Sequence, residues 1–154
     1  MTSEYVKYVV NERAKEVMED LDQACRYARD VIKGRWCQAE LTIVKDPWYA
    51  SWYAREVING RWSEVEPVIM KDPRSAYYYA YSVIKGRWPE AEPYIMKVPY
   101  WAYQYAVFVI GGRWPEAEPY IMKDPLWRPY NGRFPRPSLS SGLPGTTAPL
   151  SRAD

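Results

Sequence analysis

Four arginines and four glutamates recur in step and are the first residues on which chemistry could rest. They are Arg35, Arg61, Arg87 and Arg113, with Glu40, Glu66, Glu92 and Glu118, each 26 residues from the next of its kind. Arginines in a row could track phosphates, as in single-strand binders. The simpler reading is an Arg–Glu ladder between stacked units, worth little per pair at a surface. The carboxylate pairs Glu64/Glu66 and Glu90/Glu92 resemble general acid–base dyads, but repeated acids at helix starts are better explained by the helix dipole. Cys25 and Cys37 stand where the other units have Ser51, Tyr77 and Tyr103, or Ser63, Pro89 and Pro115, and read as drift. The sequence has no Gly-rich phosphate loop, metal-ligand spacing or nucleophile–base pair. No catalytic residue, metal or cofactor is expected, and the reading is non-enzymatic.

Composition narrows the classes further. The chain has 154 residues and a formal charge of +2, with no His, 2 Cys, 14 Pro, 15 Tyr, 8 Trp and 2 Phe. Without His, the commonest general base and zinc ligand is missing. Two Cys make neither a disulfide framework nor a Cys-only zinc site, which fits a reducing compartment. No apolar stretch reaches the roughly 20 residues of a membrane span, and the charged N-terminus does not read as a signal peptide. The expectation is a cytoplasmic protein with no membrane partner. The charge balances to zero through Lys123, so the whole excess lies beyond it, at Arg128, Arg133, Arg136 and Arg152 against Asp124 and Asp154. Nucleic-acid binders concentrate their basic residues on one face. That makes nucleic acid, held by the Arg row and the basic tail, the alternative partner and not the first.

The elements that position these residues follow from the repeat. Gly-Arg-Trp occurs at 34–36, 60–62, 86–88 and 112–114. A fixed period of this length marks a repeat array. The units are 20–45, 46–71, 72–97 and 98–123, and their shared pattern is A-x-x-Y-A-x-x-V-I-x-G-R-W-x-x-x-E-x-x-I-x-K. Asp46-Pro47 and Asp72-Pro73 signal helix starts. Ala76, Tyr79, Ala80, Val83 and Ile84 then share one helical face. Gly86 is expected to end that helix in the left-handed conformation. A second helix follows Trp88; Pro93 and Pro119 require it to be short, kinked or begun only near Glu92. Such pairs bury their apolar faces by stacking on one another. The predicted fold is all-α, a short α-solenoid of four helix-pair repeats. Residues 1–19 would form a capping helix through Val6, Val9, Val10, Arg13 and Val17. The repeat domain would span 20–127, with a partial fifth unit at 124–127, followed by a flexible Pro/Ser/Gly-rich tail at 128–154.

The positions that differ between units carry the functional reading. In the first helix the variable stripe is Asp22, Arg26 and Arg29; Trp48, Trp52 and Arg55; Arg74, Tyr78 and Tyr81; Tyr100, Gln104 and Val107. Tyr49, Tyr77, Trp101, Tyr103 and Phe108 flank it. A solvated face should be charged, whereas this one grows more aromatic toward the C-terminus. Tyr, Trp and Arg are the residues enriched at interface anchors. The candidate partner-binding set is therefore Trp48, Tyr49, Trp52, Arg55, Arg74, Tyr77, Tyr78, Tyr81, Tyr100, Trp101, Tyr103 and Gln104. Burial of this stripe, by the tail, another helix layer or self-association into a structural assembly, is the competing reading.

The segment Val83–Pro99, with Val98 in place of Asp, resembles repeats in proteins encoded by tailed bacteriophages. The resemblance is carried by the G-R-W-P-E-A-E core and covers about 20–123. It weakens in the first unit, where Cys37, Gln38 and Leu41 replace the P-E-A-E-P residues. It implies a viral protein acting inside an infected bacterium, with a host factor, such as a defence protein, as the partner. It brings no catalytic residues.

Overall fold

A computed structural model describes residues 14–125. Among these the chain is all-helical. A short helix, α1, covers 14–18. It is followed by α2 (Leu21–Tyr27), α3 (Cys37–Ile43), α4 (Pro47–Tyr53), α5 (Glu66–Ile69), α6 (Pro73–Tyr79), α7 (Glu92–Ile95), α8 (Pro99–Tyr105) and α9 (Glu118–Ile121). The long first helices α2, α4, α6 and α8 pack side by side, and each short second helix touches the first helix of its own unit. Except for α9, it also touches the first helix of the next unit. This is the short solenoid of helix pairs expected from the period. The capping positions Val6, Val9, Val10 and Arg13, the residues of the partial fifth unit from 126 on and the expected tail at 128–154 lie outside the described residues. Val17 of α1 does pack against the core.

Unit boundaries coincide with the helix caps. The Asp46 carboxylate accepts from the amides of Trp48 and Tyr49, with Pro47 in the first turn. Asp20 caps Asp22 and Gln23 in the same way, and Asp72 caps Ser75. Val98 breaks the series, and α8 starts without a side-chain cap. The prolines explain the length of the second helix. In the first unit Leu41 takes the proline position and α3 runs seven residues from Cys37. Pro67, Pro93 and Pro119 lack the amide that an interior turn needs, so α5, α7 and α9 begin only at the preceding Glu and run four residues.

Two details depart from the sequence expectation. The last turn of each first helix widens into a π-turn, at Ala28–Ile32, Ala54–Ile58, Ala80–Ile84 and Ala106–Ile110. The left-handed residue is then not Gly86 but the one before it. Lys33, Asn59 and Lys85 adopt φ of 56°, 56° and 59°, and only the fourth unit places a glycine there, Gly111 at 75°. The amides of Lys85 and Gly86 both donate to the Ala80 carbonyl, which closes the wide turn. A Cβ on Gly86 would meet no atom within 4 Å. Side chains in left-handed geometry are destabilised by roughly 1–2 kcal/mol, partly offset by the extra unfolded-state freedom of glycine. Lys85→Gly should therefore raise stability by about 0.5–1 kcal/mol, read as a higher thermal midpoint. A lower midpoint would contradict the assigned geometry.

Candidate functional site

The invariant residues form the joints between units. In each unit Ala50, Ala54, Ala76, Ala80 and their equivalents are buried and let helices approach closely. Trp36, Trp62, Trp88 and Trp114 are buried wedges, each 5.0–5.4 Å from the invariant tyrosine of its own unit. Polar groups complete the joint. The Trp62 amide donates to the Tyr79 hydroxyl of the next unit at 2.7 Å, and that hydroxyl donates to Glu66 at 2.9 Å. Glu66 also accepts two bonds from Arg61 at 2.8 Å. The same latch joins Trp36, Tyr53, Glu40 and Arg35, and again Trp88, Tyr105, Glu92 and Arg87.

This corrects the sequence reading of the Arg row. The direct Arg–Glu pairs lie inside each unit, five residues apart, and it is the tyrosine that crosses to the neighbour. The neighbouring unit adds a longer-range attraction, Glu64 acting on Arg35, Glu90 on Arg61 and Glu116 on Arg87. Glu66 is a joint residue and not a member of an acid–base dyad with the exposed Glu64. Cys25 is buried, which pushes its thiol up to about 12, so it is inert; Cys37 is exposed at the start of α3.

The latch is expected to set the pH limits of stability. The Arg35 and Arg61 guanidinium groups, opposed by burial and aided by the tyrosine hydroxyls, hold Glu40 and Glu66 below their ordinary value of 4.5. A depressed carboxylate stabilises the fold above its unfolded value, and that contribution is lost as pH falls through the folded one. Burial pushes Tyr53, Tyr79 and Tyr105 above their ordinary value of 10. Their contribution is complete below that value and is lost as pH rises past it. Urea midpoints should be level between these two values and fall on both sides. A midpoint that stayed level as pH fell well below 4.5 would contradict the carboxylate assignment.

The outward face is where units differ. Tyr81, Tyr100 and Phe108 are 51%, 42% and 52% exposed. Trp48, Tyr49, Trp52, Tyr78, Trp101 and Gln104 are half-buried, while Arg55 and Arg74 are exposed. The rings run continuously: Trp48 meets Tyr78 edge-on at 5.3 Å, Tyr78 meets Trp101 at 5.9 Å, and Trp101 meets Tyr100 at 4.6 Å. Arg74 lies 4.0 Å over the Trp48 ring, and Arg29 lies 5.2 Å over Trp52. Two of the candidate residues do not belong to this surface. Tyr77 and Tyr103 are each 7% exposed and sit in the core; Tyr77 does so between α6 and α8, where it stacks on Trp101. Tyr77 instead supports the surface from beneath, touching Tyr78, Tyr81 and Trp101. Tyr49, Trp52, Tyr78 and Trp101 also lean on the core.

Sequence reasoning missed Ser51 and Ser82. With Trp48, Trp52, Arg55 and Tyr78 they line a cleft of about 220 Å³. A signal was present in the unit comparison, since Ser51 is small where the next two units carry Tyr77 and Tyr103. A larger cleft of about 510 Å³ includes Val17, Tyr27 and Val31 at the N-terminal end, next to residues outside the described range. Among the described residues no group of three His, Cys, Asp or Glu could hold a metal ion, and no helix is long and apolar enough to cross a membrane. No family model matches the chain, and no curated protein or solved structure matches it either.

Proposed function

We propose that this chain is a non-enzymatic binding scaffold that engages a protein partner through the aromatic face of its first helices. The observation that carries the reading is the division of labour between positions. Invariant Trp, Tyr, Glu and Arg side chains are used in the joints, whereas the variable positions place a continuous band of half-exposed rings outside them. Exposed aromatic bands with arginines are the composition of interface anchors. The phage resemblance extends the proposal to a host factor, such as a defence protein, met in the cytoplasm of an infected bacterium.

The pairing of Arg35, Arg61, Arg87 and Arg113 with glutamates supports a protein partner over nucleic acid, because each guanidinium already donates twice to a carboxylate. Joint replacement of Trp48, Tyr81 and Tyr100 by alanine avoids the rings that lean on the core. Affinity capture from host lysate, with masses determined, should lose a partner with this variant and keep it with Leu41→Ala, a change at a residue that is exposed on α3. A partner held equally by both proteins would overturn the assignment of the surface.

A further inference from the structure

The chemistry of the partner can be narrowed at the cleft between α4 and α6. The sixth position of each unit is Cys25, Ser51, Tyr77 and Tyr103. Where Tyr77 fills the space between α6 and α8 with a ring, Ser51 is as deeply buried but leaves the corresponding space between α4 and α6 open. Ser82 has the same effect at the rim, standing where the other units carry Asp30, Glu56 and Phe108. Both hydroxyls already donate to backbone, Ser51 to the Trp48 carbonyl at 2.8 Å and Ser82 to the Tyr78 carbonyl at 2.5 Å. The walls are the rings of Trp48, Trp52 and Tyr78. A cleft of about 220 Å³ with such walls suits one apolar side chain.

Charge at the rim decides what accompanies that side chain. Among the described residues, seven arginines have a carboxylate within ion-pairing distance. Arg29 and Arg55 are among them, each paired with the acid that follows it in sequence, Asp30 and Glu56. Arg74 has no such partner; it is exposed and stacked on Trp48. A guanidinium held by its face keeps its in-plane N–H donors for a carboxylate. We infer that this cleft seats a short acidic segment of a protein partner, with one apolar side chain between Trp48, Trp52 and Tyr78 and a neighbouring carboxylate on Arg74. The inference rests on the protein-binding reading above and deepens it. A single nucleic-acid strand would need unpaired cations along its path beside the stacking rings, and among the described residues Arg74 is the one arginine without a carboxylate in ion-pairing distance.

The test is selection of random displayed peptides on the full-length protein, followed by fluorescence-anisotropy titration of a synthetic consensus peptide. Enriched sequences should carry Phe, Leu or Trp within a few residues of Asp or Glu. Arg74→Glu should weaken the consensus peptide about tenfold or more, and a peptide with its acids changed to Lys should bind that variant better than it binds the original. Ser82→Phe, which copies the residue of the fourth unit and leaves the charges alone, should abolish binding with an unchanged circular dichroism spectrum. Enrichment of neutral or basic peptides, or a consensus peptide indifferent to Arg74→Glu or Ser82→Phe, would overturn the inference while leaving the scaffold reading intact. Failure to enrich any sequence would overturn it as well. Tight binding of an oligothymidylate probe, abolished by Arg74→Glu, would overturn the inference and the protein reading together.

Discussion

Trp88→Ala should cost about 3–5 kcal/mol, the usual penalty for emptying a buried aromatic site. Trp88 is 2% exposed, packs 5.1 Å from Tyr79 and donates its amide to Tyr105. It lies at the joint between the third and fourth units, so its loss removes contacts on both sides. Domains of this size are stable by only about 5–15 kcal/mol, so the variant should retain little margin. In a quasi-one-dimensional array the position of the defect matters as well. The same change at Trp36, nearer the end and slightly more exposed, should cost less and fray the first unit instead of uncoupling the array. Urea denaturation followed by circular dichroism checks both. A loss below about 1 kcal/mol at Trp88 would mean that the wedge does not hold the joint.

The second large effect isolates one oxygen. Tyr79→Phe keeps the ring against Trp88 but removes the hydroxyl that accepts from the Trp62 amide and donates to Glu66. Two buried groups are left short of a partner, at about 1–3 kcal/mol. Tyr27→Phe is the matched control. Tyr27 packs on Trp36 as Tyr79 does on Trp88, but among the described residues its hydroxyl makes no hydrogen bond. That change should stay within about 0.5 kcal/mol. Equal losses at the two positions would show that the ring alone holds the joint.

The period, the helix pairs and the burial of the shared alanines and tryptophans were legible in the sequence because they rest on local signals. Asp46-Pro47 caps a helix by contacts two and three residues away, and Pro93 shortens one by lacking a single amide. Glycine is the usual marker of a left-handed residue, but here Lys33, Asn59 and Lys85 tolerate the geometry and the glycine follows one residue later. The cross-unit role of Tyr79 depends on a contact 17 residues away, at Trp62, which no local pattern displays. A trace of it was there: phenylalanine would fill the ring position as well, yet all four units keep tyrosine. The binding face was half legible. Spacing placed Tyr77 on the stripe, but α6 is sandwiched between α4 and α8 and buries a wider arc than a surface helix does, so that ring falls inside it; Tyr103 is equally buried. Ser51 escaped notice because a missing side chain leaves no mark except by comparison with its equivalents.

The central claim, that the units are interchangeable and joined by one repeated latch, is tested most directly by inserting a second copy of residues 72–97 after Lys97. Every joint in the longer chain would then again pair a Trp amide, a tyrosine hydroxyl and a glutamate. The account predicts a folded protein whose helical signal grows with the added unit and whose thermal midpoint is no lower than that of the parent. A protein that fails to fold, or one that melts well below the parent, would contradict it.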